Sequence, residues 1–203
     1  MGCVLAYCLL QNESAQYLRS ATIVGSSLNY HAGGSGFESW KKYLGWARKL
    51  PGLPMGPLLT LIAPLSSRFE NPADEFNVWP PNVDGELNRR LLAHGFEWLS
   101  NGVLLQLETA IEAPGFRSFD RAINYHEGVA RITKPVFVIG GDRDRQCPVS
   151  AKMKTAELLP KHNSRIKIHA DYGHCDLFIG KRVEQEVFPD ILAWLENPGK
   201  LPG

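Results

Sequence analysis

From Met1 to Leu10 the chain is apolar at nearly every position and carries no charge. A helix of that composition has no wet face, so the pattern predicts a helix over residues 1–11 buried on almost all sides. The polar break Asn12-Glu13-Ser14 follows. Arg19 to Gly25 then forms a short run with Thr22, Ile23 and Val24 at its centre and small residues at its end, which reads as a strand.

Between about Asn29 and Ser118 the character changes. Four of the five tryptophans and most of the prolines lie here, and the stretch divides into amphipathic pieces over Phe37 to Leu50, Leu58 to Leu65 and Gly85 to Ile111. Pro51, Pro54, Pro57, Pro80 and Pro81 punctuate them. Proline is tolerated at helix starts and in loops but not in helix interiors, so residues 29–118 read as a helical insertion with Pro-rich turns.

The last third returns to alternating strands and helices. Pro135 to Gly141 is a continuous apolar run closed by two glycines, the pattern of a parallel strand buried on both faces. Val149 to Leu159 predicts a helix. Arg165 to His169 alternates strictly, as a strand with one wet face does, and belongs nearer the sheet edge. Val183 to Glu196 predicts a closing helix with Val187, Ile191, Trp194 and Leu195 on its buried stripe. The order implies an α/β protein whose sheet has about three strands: residues 1–28 and 119–203 form the core, and residues 29–118 the insertion.

Composition narrows the partners. The net charge of +1 supplies no field to attract nucleic acid or an anionic membrane. The apolar opening lacks a basic leader and ends after about ten residues, short of the roughly 20 a membrane span needs, so neither a secretory leader nor a membrane span is expected. Cys3, Cys8, Cys147 and Cys175 contain no C-x-x-C pair. Free thiols and a cytoplasmic location are the expectation, with no metal and no cofactor.

Chemistry concentrates after the two late strands, where sites of open α/β sheets lie. Gly141-Asp142-Arg143-Asp144-Arg145-Gln146-Cys147-Pro148 follows one, and Asp171-Tyr172-Gly173-His174-Cys175-Asp176 the other. An acid at one strand end and a histidine at the next can orient an imidazole as general base. Taken singly, Asp144 is equally a turn residue and His174 a surface-loop histidine.

Together these residues resemble the C-terminal part of the α/β-hydrolase family. Gly141, Asp144 and Pro148 match its G-x-x-D-x-x-x-P pattern at the acid, and Gly173-His174 matches its histidine motif, in the family order of acid before histidine. The resemblance implies Asp144 and His174 as catalytic residues and favours Asp144 over its rival Asp142, which takes a supporting or capping role; Asp176, by its position alone, is a cap for the helix that begins near Leu177. Residues 29–118 would then be the cap, its apolar residues (Trp40, Trp46, Leu58, Leu59, Leu61, Ile62, Phe69, Phe76, Trp79, Phe96 and Trp98) mostly packing and partly lining a pocket for a small hydrophobic ester or acyl substrate.

The family's G-x-S-x-G nucleophile motif is not complete anywhere in the chain. Gly33 to Phe37 and Gly25 to Asn29 each miss a glycine, and Ser39-Trp40-Lys41-Lys42 is an isolated S-x-x-K. By contrast, Met1-Gly2-Cys3-Val4-Leu5-Ala6 resembles the family's elbow from the residue after the serine onward. That resemblance implies Met1 and Gly2 as elbow residues, with Gly2 small so that the helix packs against a strand. It also implies a chain that starts just past the nucleophile and is inactive by itself. The expected activity is esterase or lipase-like hydrolysis. The alternatives are a truncated binding or interaction module, or a relative with a Cys or Asp nucleophile, an acyltransferase or dehalogenase. Oligomeric state leaves no mark in the sequence.

Overall fold

A computed structural model describes residues 2–31, 34–37 and 51–200. Helix α1 (Gly2–Leu9) leads through a 3-10 turn into strand β1 (Ala21–Val24). The segment from residue 51 contributes β2 (Gly52–Leu53), α2 (Met55–Ile62), α3 (Pro72–Asn77), α4 (Gly85–His94), β3 (Leu99–Ser100) and α5 (Asn101–Ile111). A short helix α6 (Tyr125–Gly128) precedes β4 (Val136–Gly141), α7 (Val149–Ala156), β5 (Ser164–His169), α8 (Asp176–Ile179), α9 (Val183–Glu186) and α10 (Phe188–Glu196).

The main sheet is parallel with order β1-β4-β5, registered as Ala21 to Val136 and Val136 to Ser164. β4 is buried at all six positions. Its side chains alternate between two apolar layers. Val136 and Val138 join Val4, Tyr7, Leu10, Ile23 and Ala151 on one face, and Phe137 and Ile139 join Tyr172, Leu177, Val187 and Trp194 on the other. A strand covered twice cannot afford a polar residue on either face, which is why its sequence is one unbroken apolar run. β5 sits at the edge with a partly exposed face.

Several expectations are corrected. α1 is a helix, but only one side of it is covered: Val4, Tyr7 and Leu10 are buried whereas Leu5 is 64% exposed and Leu9 38%. A single neighbouring sheet face can cover only one stripe of a helix. An added Cβ at Gly2 would meet no heavy atom within 4 Å. Met1 lies outside the described residues, as do residues 38–50 of the piece expected over Phe37 to Leu50, including Trp40 and Trp46.

The stretch from Gly85 to Ile111 is two helices. α4 ends at Gly95, and Ser100 caps α5 by accepting the Val103 N–H, while Leu99 and Ser100 pair antiparallel with Gly52 and Leu53. The closing helix is likewise broken, at Val187, because Pro189 has no N–H to continue the ladder. Leu195 is 49% exposed and is not on the buried stripe. α3 was not expected, although Asn71 caps it by accepting the Asp74 N–H, and Pro72 stands in its first turn. The buried Asp74 carboxylate accepts from Ser66, Ser67, Asn71 and Asn88, fastening α3 to α4.

Among the apolar residues of 29–118, Leu59 packs with Ala63 and Leu92, but Leu58, Leu61, Ile62, Phe69 and Trp98 are exposed rather than packing residues. α2 and the turn after it are too short to present more than one buried row to α4.

Candidate functional site

β4 and β5 end side by side, Gly141 registered with His169, so the loops that follow them meet. The β4 loop bends back over Asp144, whose Oδ1 accepts the N–H groups of Gln146 at 3.0 Å and Cys147 at 2.8 Å. This is the local hydrogen bonding that favours aspartate in turns, and it points the carboxylate inward, where the residue is 3% exposed. The β5 loop brings His174 to it: Nδ1 stands 3.0 Å from Asp144 Oδ2 and 3.2 Å from Oδ1. Burial alone pushes the Asp144 carboxyl up. The His174 ring, the Lys152 ammonium and the Cys147 N–H outweigh it and hold the carboxyl below the usual carboxylate range.

Two glycines make the approach possible. Gly25, at the end of β1, has φ +60°, and a Cβ there would lie 3.1 Å from Cε1 and 3.2 Å from Nδ1 of the His174 ring. Gly173 lies against the chain at residues 78–79, where a Cβ would come within 2.5 Å of the Trp79 nitrogen. The imidazole is therefore set between the end of β1 and the loop that precedes it.

Asp142 accepts the Asp171 N–H at 2.7 Å, tying the two loops together from outside the site. Asp176 does not cap the helix as expected: it is the first residue of α8, whose N-cap position is Cys175, and its carboxylate turns away from the helix. Fully buried, it accepts from the Gly173 N–H at 2.9 Å, the Trp79 N–H at 3.2 Å and Asn82 Nδ2 at 3.0 Å. Burial raises its pKa against these three hydrogen bonds. Asp176 thus fastens residues 79–82 to the histidine loop, joined by Cys175 N–H donating to Asn77 O and Lys181 N–H to Asn82 O.

His174 lines a cavity of about 340 Å³ walled by Gly2, Cys3 and Val4 of α1, Gly25 and Ser26 after β1, and Leu104, Leu107 and Ile111 of α5. A second cavity of about 730 Å³ adjoins it, sharing Phe37, Leu99 and Gln146, and is walled by Leu59, Phe76, Phe96 and Trp98. Gln146 stands between the two and donates through Nε2 to Asn77 Oδ1 at 3.0 Å. The arrangement is an oriented imidazole beside an apolar chamber. The N-terminal end of α1, which carries Gly2, opens onto the same chamber; the position of Met1 is not described.

The sequence reading missed Lys152, whose Nζ is 3.0 Å from Asp144 Oδ2 with both side chains fully buried. Nothing in the polar run of α7 distinguishes it from the exposed Lys154. Among the described residues no group of three or more His, Cys, Asp or Glu is placed to hold a metal ion. None of the described helices is long and apolar enough to cross a membrane.

No family model matches the chain, and no curated protein does. Solved structures do. A monoacylglycerol lipase from Paleococcus ferrophilus aligns with TM-score 0.59 at 16% identity over 95% of this chain and 64% of that one. An alpha/beta fold family hydrolase from Bacillus anthracis aligns with TM-score 0.56 at 14% identity over 92% and 61%. A meta-cleavage product hydrolase from Pseudomonas fluorescens aligns with TM-score 0.51 at 15% identity over 96% and 61%. The chain spans 61% to 64% of the length of these structures. It has, in part, the α/β-hydrolase fold.

Proposed function

We propose, from this fold and the site it builds, that Asp144 and His174 are the acid and base of a carboxyl-ester hydrolase. The observation that carries the reading is the 3.0 Å contact of His174 Nδ1 with the buried Asp144 carboxylate at the wall of an apolar cavity. With Nδ1–H donated to Asp144, Nε2 carries the lone pair, so the ring is in the tautomer that takes a proton from a nucleophile and returns it to a leaving group. Asp144, held as an anion, stabilises the imidazolium formed in between. Leu104, Leu107 and Ile111 support a hydrophobic acyl group as the substrate portion in the chamber, and the lipase among the structural neighbours is consistent with one.

In this reading the nucleophile is a serine next before Met1 and Gly2 in sequence, at the N-terminal side of α1. The 203-residue chain then supplies the proton-transfer pair without a complete G-x-S-x-G motif, and residues 29–118 act as the cap.

The test is to express the reading frame extended upstream of Met1 and assay p-nitrophenyl butyrate. The expected result is turnover that a covalent serine inhibitor blocks. His174→Ala should lower it by roughly 10²–10⁴-fold, the scale of a lost general base. The 203-residue chain should show none. Serine-type turnover by the 203-residue chain would refute the placement of the nucleophile. An upstream frame without a strand ending in G-x-S would instead favour a non-catalytic interaction module, for which the open Leu5 and Leu9 face of α1 is the natural surface. A Cys or Asp at that position would redirect the chemistry to acyl transfer or dehalogenation.

A further inference from the structure

A lysine with no exposed surface is rare, because burying an ammonium without partners is costly. Lys152 is fully buried in α7, and each of its three N–H donors has an acceptor. Nζ donates to Asp144 Oδ2 at 3.0 Å, to Gly141 O at 3.3 Å and to Cys147 O. All three acceptors belong to the end of β4 and the loop that carries the acid. The stem of the side chain reaches them across Gly140, where any Cβ would overlap Cδ and Cε of Lys152. The glycine pair that closes the apolar run of β4 therefore has a specific use: one member is the floor on which the lysine lies.

Oδ1 of Asp144 takes the backbone N–H groups of its own loop and stands 3.2 Å from His174 Nδ1, while Oδ2 lies between Lys152 Nζ and His174 Nδ1, 3.0 Å from each. Among the described residues, the other titratable groups that feel the carboxylate are Tyr30, Cys147 and Cys175. Burial raises all three, Cys175 to about 12, so they are uncharged at neutral pH. Besides the imidazole, Lys152 is thus the cation among the described residues in contact with this carboxylate. Arg145, next in sequence, is turned outward to Glu75 at 2.6 Å.

We propose that Lys152 is a positioning residue for the site: its buried ammonium, seated over Gly140, keeps Asp144 ionised and turned toward His174. The catalytic meaning of this role rests on the ester-hydrolase reading, while the pairing itself is tested without turnover. A carboxyl group enclosed by protein and lacking a cation prefers its neutral form. Neutral Asp144 would stabilise no imidazolium, and its Oδ2 would no longer be held against Nδ1.

The experiment is a carbon-13 NMR titration of the Asp144 carboxyl in the 203-residue chain, its Lys152→Met variant and its Gly140→Ala variant, with folding checked by circular dichroism. In both variants the midpoint should rise, by about 1–3 pH units, the scale of a lost adjacent cation. The direction follows from sign: removing a positive charge favours the protonated acid. An unchanged or lower midpoint in folded Lys152→Met overturns the proposal. If that variant does not fold, Gly140→Ala, which keeps the charge but evicts it, decides in the same way. Should neither fold, the nitrogen-15 signal of Lys152 Nζ in the unsubstituted chain decides: an ammonium at pH 7 whose shift follows the titration of Asp144 supports the pairing, and a neutral amine overturns it. A raised midpoint alongside failure of the ester assay would keep Lys152 in its role and remove the hydrolase reading. Ester turnover with an unmoved midpoint would do the reverse.

Discussion

Gly25 has no side chain, and the imidazole depends on that. Its φ of +60° is a conformation that costs other residues energy, and the space a Cβ would need is filled by the His174 ring. Gly25→Ala is therefore expected to lower unfolding stability by roughly 1–2 kcal/mol through the backbone alone. It should also displace the ring. Urea unfolding measures the first effect and the shift of the His174 ring resonances the second; a variant with native stability and unmoved resonances would contradict both. At this scale the sequence was legible where polarity interrupts an apolar pattern. Asp144 and His174 stand out because each follows a strand. Gly25 and Lys152 do not: one is an ordinary strand end, and the other lies in a helix whose buried positions, Ala151, Lys152 and Thr155, form no apolar stripe.

Elements were legible where one neighbour dictates the whole pattern. β4, enclosed between two apolar layers, announces itself, and β5 shows its edge position through alternation. The amphipathic run from Gly85 to Ile111 concealed a break because helical periodicity survives a short interruption; Gly95 and Ser100 were the signs of it. The contact between residues 77–82 and the histidine loop was not legible at all, since it depends on Asp176, ninety-odd residues further along the chain, folding back onto backbone donors. That contact is strong by its chemistry. Asp176→Ala leaves the N–H groups of Gly173 and Trp79 and the amide of Asn82 without their acceptor. The expected loss is about 3 kcal/mol, roughly 1 kcal/mol for each of the three donors left unsatisfied. Urea denaturation reads it, and a loss below about 0.5 kcal/mol, the range of an ordinary surface substitution, would show that water replaces the carboxylate.

Over the whole molecule, the parallel sheet is assembled from distant parts of the chain. β4 and β5 are joined by α7 and short turns, whereas β1 meets β4 only after all of the intervening helices have been passed. This order of connection carries over into time. Closing the short β4–α7–β5 loop fixes fewer residues, so it is the step expected to lie in the folding transition state, with β1 docking afterwards. Val138→Ala should then slow refolding, while Ile23→Val should chiefly speed unfolding, and stopped-flow chevron plots distinguish the two. Asp144 and His174 both follow strands of the β4–β5 unit, so on this order their pairing belongs to the early step. What β1 adds on docking is Gly25, the wall against which the imidazole then rests.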